Sequence, residues 1–365
     1  MKIKDVLTTI EQLSPIPLQE SYDNSGIQVG DSSQELQGVL LCIDVTEDVI
    51  EEALRLGCNL IVSHHPLAFR SFKSLTGRNY IERCIIKACR HDLVIYSAHT
   101  NLDNAMGGVN YQLAKILNLQ QVRILAPKVN SLLKLVAFVP VSHADSVRNI
   151  LFSAGAGNIG NYDLCSYNIL GEGTFRAGED TNPYVGNAGT LHKEEEVRIE
   201  VVLPLFKKNE IIRALLAVHP YEEPAYDIYA LENKWLQAGS GVVGSLQEPM
   251  EEEDFLYYLK DALHLSCVQH SAYTGRTIRD IALCGGSGAF LIPEAINYGA
   301  DVFITGEAKY NDYYDVENKL LLAVVGHYES EVCTKNIFYD VLINKYPYIN
   351  LNMSQFDINP VRYII

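Results

Sequence analysis

The chain has 365 residues, 48% of them hydrophobic and 20% charged. At about 100–200 residues per domain this is material for two or three domains with a sizeable core, and global disorder is excluded. The 29 basic and 45 acidic residues leave a formal charge of −16 with no run of Lys or Arg, which speaks against nucleic acid as a partner, since a phosphate binder needs a basic stripe.

The first twenty residues predict a short helix and lack the long apolar stretch of a signal peptide. No apolar run approaches about 18 residues, so no membrane span is expected. The eight cysteines include no C-x-x-C pair, and a chain of this size needs no staples; reduced, mostly buried thiols in a cytoplasmic protein are expected.

From Gly38 the pattern alternates. GVLLCIDV (38–45) predicts a buried strand. Residues 47–57 place Val49, Ile50, Ala53, Leu54 and Leu56 at helical spacing before a Gly stop. Strands follow at 59–63 and 92–98, with helices at 79–91 and 107–119. A β-α-β-α-β-α series implies a parallel sheet covered on both faces. Downstream, 279–285, 301–305 and 320–326 predict strands, 289–299 a helix, and the segment after His327 a helix to about Leu342. The two α/β stretches are expected to share one sheet system.

Between them the texture changes. Strand-like LLKLVAFVPV, EVRIEVVLPL and AYDIYAL alternate with helices at 143–154 and 208–217, around a Gly/Asn-rich stretch at 155–190. This is an α+β, ferredoxin-like order. The fold class is therefore α/β: mostly parallel sheets covered by helices in a two-part core (1–127 and 236–365), with an inserted α+β domain at 128–235.

Four polar clusters each follow a predicted strand: His64-His65-Pro66, His99-Thr100-Asn101-Leu102-Asp103, Thr305-Gly306-Glu307, and Gly326-His327-Tyr328-Glu329-Ser330-Glu331. Ligand sites in parallel sheets collect outside the carboxyl ends of strands, so these loops can converge. His64, His65, Asp103, His327 and Glu331 offer imidazoles and carboxylates, a set suited to Zn, Fe, Mn or Co. Adjacent histidines on an extended strand end point to opposite sides and serve two ions better than one. His327 and Glu331, four apart, share a helix face. Asp103 and Glu331 can bridge two ions, with water, made more acidic by the metal, at the remaining positions. His99 is expected to orient a ligand carboxylate.

These pieces, with Tyr22-Asp23-Asn24-Ser25-Gly26-Ile27-Gln28-Val29-Gly30 and Asp44-Val45-Thr46, resemble the Nif-three-like dinuclear-metal family, the GTP cyclohydrolase I type 2 homologues. The resemblance covers roughly 1–125 and 236–365. It implies a two-metal centre on the same five residues and a ring-shaped hexamer with metal sites facing an internal cavity. The family often has Trp or another aromatic where this chain has Tyr22. The middle segment, marked by His219-Pro220-Tyr221-Glu222-Glu223-Pro224-Ala225-Tyr226-Asp227, resembles the insertion of longer members, similar to PII and CutA domains. It is read first as a turn packing aromatics on the sheet, and second as an effector site.

Other patterns carry less. Gly239-Ser240-Gly241-Val242-Val243-Gly244 fits G-x-G-x-x-G but does not lead into a helix, as a dinucleotide fingerprint requires. Gly285-Gly286-Ser287-Gly288 lies between a strand and a helix; a tight turn is expected, with a phosphate cradle as the alternative. Glu251-Glu252-Glu253-Asp254 suits a helix N-terminus. Lys193-Glu194-Glu195-Glu196 is expected to be a solvated turn.

Two functions follow. One is a metal-dependent hydrolase acting on a nucleotide or other small molecule, the GTP cyclohydrolase label naming the guanine ring. Tyr328, Glu329 or Glu307 are then candidate proton carriers, and Lys309 a contact for substrate phosphates. The other is a non-catalytic metal-binding regulatory or scaffold protein that senses a metabolite through the inserted domain.

Overall fold

The computed structural model describes residues 1–356 and 359–364. The chain divides into two compact units, residues 1–126 with 237–365, and residues 127–236.

Unit 1 begins with α1 (Ile3–Leu13), whose Ile3, Val6, Leu7 and Ile10 fall on one buried face. β1 (Gly26–Val29) and β2 (Val39–Cys42) follow, then α2 (Glu47–Arg55). Thr46 caps α2 by accepting from the Val49 amide at 3.3 Å, with Glu47 and Asp48 in the first turn and Arg55 in the last. β3 (Leu60–Ser63), α3 (Tyr80–Arg90), β4 (Val94–Ser97), the short α4 (Thr100–Asp103), α5 (Val109–Ile116) and β5 (Gln120–Lys128) complete the first half. Unit 2 holds β6 (Leu132–Pro140), α6 (Ala144–Ser153), β7 (Tyr167–Arg176), β8 (Leu191–Pro204), α7 (Lys208–Val218) and β9 (Tyr226–Leu231). The chain re-enters unit 1 along β10 (Trp235–Glu251), followed by α8 (Glu252–Ala262), β11 (Gln269–His270), β12 (Thr277–Cys284), α9 (Ile292–Tyr298), β13 (Val302–Thr305), α10 (Asp312–Asp315), β14 (Leu321–Val324), α11 (His327–Glu331), α12 (Thr334–Lys345) and β15 (Leu351–Met353).

Unit 1 has two sheets, not the single system expected from the sequence. The first has the order β1-β4-β3-β2-β15 and the second β11-β14-β13-β12-β10-β5. In the first sheet β2 is flanked by β15, which runs parallel to it, and in the second β12 is flanked by antiparallel β10. Side chains alternate with the period of two that a strand imposes. Leu41, Val62 and Tyr96 of the first sheet and Leu283, Ile304 and Ala323 of the second share one core with α1, α5, α8 and α12. The opposite faces bury Leu40, Ile61 and Ile95 under α2 and α3, and Ala282, Phe303 and Leu322 under α9.

The register positions the site. Cys42, Ser63 and Ser97 stand level across β2, β3 and β4. Cys284, Thr305 and Val324 stand level across β12, β13 and β14. The loops that follow these strands therefore leave each sheet at one edge.

In unit 2 the sheet order is β7-β8-β6-β9, and every pair is antiparallel. Its helices cover one face, where Leu135, Val139, Val147, Leu151, Ile199, Val201, Ile211 and Leu215 form the core. The stretch 155–190 contains β7, which the sequence did not reveal. Most of β7 is exposed, so it lacks the alternation that marks a half-buried strand; backbone pairing with β8 holds it. Residues 193–196 are likewise strand rather than solvated turn, and Glu196 is buried. Residues 239–244 lie within β10, which removes the dinucleotide reading. The helix after His327 is broken between Glu331 and Thr334. No disulfide forms among the described residues, and no described helix is long and apolar enough to cross a membrane.

Candidate metal centre

His64 and His65 extend β3 by one step. Their amides donate to the carbonyls of Cys42 (3.2 Å) and Ile43 (2.9 Å). The imidazoles are then fixed from behind by different groups. His64 Nδ1 donates to the Ala98 carbonyl at 2.9 Å, and His65 Nδ1 lies 2.9 Å from Asp44 Oδ1. Both Nε2 atoms are thereby aimed at Glu331, on opposite oxygens. His65 Nε2 is 2.9 Å from Oε2, and His64 Nε2 is 3.7 Å from Oε1.

His327 joins the Oε2 side. Its Nε2 lies 3.1 Å from Glu331 Oε2 and 3.3 Å from His65 Nε2, and its Nδ1 lies 3.0 Å from Glu307 Oε1. Asp103 joins the other side, its Oδ1 3.7 Å from His64 Nε2. The five residues selected from sequence thus stand in one cleft as two groups: His64 and Asp103 facing Oε1, His65 and His327 facing Oε2.

His99 stands with the imidazoles rather than on a ligand carboxylate. Its Nδ1 lies 2.8 Å from Asp23 Oδ1, and a ligating nitrogen of each of His64, His65 and His99 falls within 4.8 Å of the others. His65, His327 and Glu331 form a second such group.

The electrostatics follow from packing cations and anions together in a buried place. Burial works against charge on His65, but Asp44 and Glu331 overcome it and push the imidazole up to about 10. Burial opposes charge on His327 too, and Glu331 raises it nonetheless. Burial also penalises the Glu331 carboxylate, yet the surrounding imidazoles hold it well below the usual range. Asp103 goes the other way, raised by burial and by the Glu331 charge. Asp23 is held low against its burial by hydrogen bonds from His99, Thr100 and the Asn24 amide.

One atom of this cluster has no hydrogen-bond partner among the described residues. His64 is fully buried, and its Nε2 makes no hydrogen bond. A buried lone pair without a donor is costly, and a cation between it and the carboxylates would satisfy it. The donor set, imidazole nitrogens whose rings are each held through the other nitrogen together with carboxylate oxygens, fits a divalent transition metal.

Glycines make room for this arrangement. Gly286 has φ +60°, and a Cβ there would stand 2.2 Å from Glu331 Oε1. The Gly285–Gly288 loop is a turn and not a phosphate cradle. Three of its four amides, those of Gly285, Gly286 and Gly288, are spent on Asn110 Oδ1 (2.9 Å), Ser330 Oγ (2.9 Å) and Thr305 Oγ1 (3.0 Å).

A cavity of about 420 Å³, lined by Tyr22, His99, Asp103 and Glu331 among others, meets the site on one side. One of about 1190 Å³, lined by Glu307, Lys309, Tyr328 and Glu329, meets it on the other. His65 and His327 line both. Of the candidate proton carriers, Glu307 touches the cluster through His327, whereas Glu329 Oε1 accepts from Asn359 Nδ2 at 2.8 Å. His219, in unit 2, is spent on backbone, with Nε2 on the Phe138 carbonyl (2.9 Å) and Nδ1 accepting from the Tyr221 amide (3.1 Å). Asp44 and Asp23 received no role from sequence reasoning. The available signal was position: each lies in a short polar segment beside a strand of the same sheet edge.

This is an α/β protein with a buried histidine-carboxylate cleft at the carboxyl ends of its parallel strands. The profile of Duf34/NIF3 (NGG1p interacting factor 3) matches residues 1–360, and the chain belongs to that family. It is 43% identical over 319 residues to a GTP cyclohydrolase 1 type 2 homolog of Halalkalibacterium halodurans, covering 86% of each chain. It is 35% identical over 367 residues to one of Bacillus subtilis, covering 99% of this chain and 98% of that one. Among solved structures, a Bacillus cereus protein related to NIF3 superposes with a TM-score of 0.86 at 35% identity, over 100% of this chain and 99% of that one.

Proposed function

We propose that the chain binds two divalent transition-metal ions (Zn, Fe or Mn) in this cleft and hydrolyses a small polar substrate there. The observation that carries the reading is Glu331, with buried, unbonded His64 Nε2 before one oxygen and His65 and His327 before the other. His64, His65, Asp103, His327 and Glu331 would hold the ions, with His99 beside them. Bound there, the ions supply Lewis acidity and lower the pKa of water toward neutrality.

The chain's own groups do the rest. Ala98 O, Asp44 and Glu307 fix the ring orientation of His64, His65 and His327. Glu307 stands at the cavity wall beside His327, where it can carry a proton; Tyr328 and Glu329 line the same wall. Lys309 offers a cation to a substrate phosphate in that cavity. The names of the relatives point to a nucleotide as the substrate class. Unit 2, with its β-α-β-β-α-β order, is read as an inserted ferredoxin-like domain akin to PII and CutA. The family resemblance adds a homo-hexamer, tested by mass in solution.

The test uses chain purified without chelators. Elemental analysis is expected to give up to two transition metals per chain; well below one overturns the metal centre. Loaded protein is then assayed against nucleotides and phosphoesters, with turnover expected and lost in His65→Ala and Asp103→Ala. Absence of turnover with every metal overturns the hydrolase while leaving the metal centre standing.

A further inference from the structure

We propose that unit 2 carries a binding site for a small organic cation, an alkylammonium group held against Glu196 within a wall of aromatic rings. The site is independent of the metal centre. It is a cavity of about 580 Å³, within the usual range for small-molecule sites, on the sheet face opposite the helices of unit 2.

Phe138, Phe175, Tyr184 and Tyr221 supply the aromatic wall. The Tyr221 ring stands 5.9 Å from Phe175 and 6.2 Å from Tyr184, centroid to centroid. Ring faces carry negative potential and attract cations, most strongly where water is displaced.

Glu196 is the centre of the argument. It is only 8% exposed. Oε1 accepts from the Tyr221 hydroxyl at 2.8 Å, and among the described residues none makes a hydrogen bond or ion pair to Oε2. Burial and the Glu196 charge raise the Tyr221 phenol, so it remains a donor. Backbone leaves room for the carboxylate, because a Cβ at Gly173 would stand 2.3 Å from Oε2. A buried carboxylate with one neutral donor lacks the cation that would offset its burial.

The surrounding charges select the ligand. Glu172, Glu196, Glu222 and Glu223 line the cavity, with Arg198 as the cation in its lining; Glu172 is paired with Lys193 at 2.8 Å, and the other three carboxylates leave the wall acidic. Arg198 is already committed, paired with Glu200 at 2.9 Å and placed over Phe138 at 5.8 Å. An anion is repelled, and a neutral apolar ligand leaves Glu196 uncompensated. A transition metal that favours imidazole gains no ligand from nearby His219, since both its nitrogens are engaged. An alkylammonium satisfies the carboxylate and the rings together.

The experiment is calorimetric titration of the full chain, metal-stripped, with choline and with its neutral isostere 3,3-dimethyl-1-butanol. Saturable choline binding is expected, with the alcohol and the Glu196→Gln variant each weaker by roughly tenfold or more. Tyr184 is half exposed, so Tyr184→Ala leaves the core intact and is expected to weaken choline even if Glu196→Gln folds poorly. Equal affinity for the alcohol, unchanged binding in both variants, or absence of saturable binding by choline overturns the proposal.

Discussion

His64 Nε2 faces Glu331 Oε1 across 3.7 Å, too far for a hydrogen bond, and His64 is fully buried. A metal ion that filled this gap would bind the folded chain in preference to the unfolded one. It would therefore stabilise by about 2.7 kcal/mol when its free concentration is about a hundred times its Kd. Adding Zn or Mn to stripped protein is expected to raise the melting temperature, and a chelator to reverse it. Glu331→Gln, which alters both sides of the cleft, should lose both equivalents in elemental analysis, whereas His64→Ala should lose one. An unchanged metal content in Glu331→Gln would overturn the placement.

Protons compete with metal for the same nitrogens. The His65 pKa is raised from 6.5 to about 10, against burial, by Asp44 and Glu331. In stripped protein its ion pairs therefore stabilise fully below pH 6.5 and are lost as pH rises toward 10. Metal needs the neutral ring, so its affinity rises over the same window and binding releases protons. Stability of the stripped chain is expected to decline across that range, and less in His65→Gln. Titrations in buffers of different ionisation heat should report proton release near neutrality. An equal decline in wild type and variant would sink the assignment to His65.

The site was legible because strand ends were. β2, β3, β4, β13 and β14 are buried on both faces, so they read as unbroken apolar runs, and the polar residues after them stand out. His64 and His65 follow β3, Asp103 follows β4 and His327 follows β14, so each stands just beyond such a run whichever sheet its strand joins. The two sheets were hidden because their separation depends on which distant segment takes an edge, β15 on β2 and β10 on β12, and pairing partners leave no local mark. β7 was hidden for a related reason: its residues face outward and only its backbone is fixed. Asp44 and Asp23 act through an imidazole on another loop, a contact that only the assembled edge creates.

Glu82 gives a second pH test, away from the cleft. It accepts from the Thr76 amide (2.8 Å), the Thr76 hydroxyl (3.0 Å) and the Arg78 amide (3.2 Å), and so ties the loop before α3 to its first turn. Those backbone hydrogen bonds lead the lowering of its pKa from 4.5 to about 2. A lowered carboxylate stabilises above its unfolded pKa and loses that contribution as pH falls through the folded one. Glu82→Gln should therefore melt lower than wild type at neutral pH, with the difference closing toward pH 2. A difference that persists undiminished in acid would show that shape, not charge, is what Glu82 contributes.

Gly286→Ala tests whether the backbone shapes the metal site. Gly286 sits at φ +60°, where a side chain costs roughly 1–2 kcal/mol, a loss that a folded domain of about 5–15 kcal/mol survives. The added methyl would stand 2.2 Å from Glu331 Oε1 and 3.6 Å from His327 Cε1, so the carboxylate must move. Displacing Glu331 weakens both ligand groups at once, because His64 faces one of its oxygens and His65 and His327 the other. The expected result is a cooperative unfolding transition close to that of stripped wild type, with metal affinity down by roughly tenfold or more. Calorimetric titration with Zn or Mn measures it. Wild-type affinity in a folded Gly286→Ala chain would mean that Glu331 is not held where metal binding needs it.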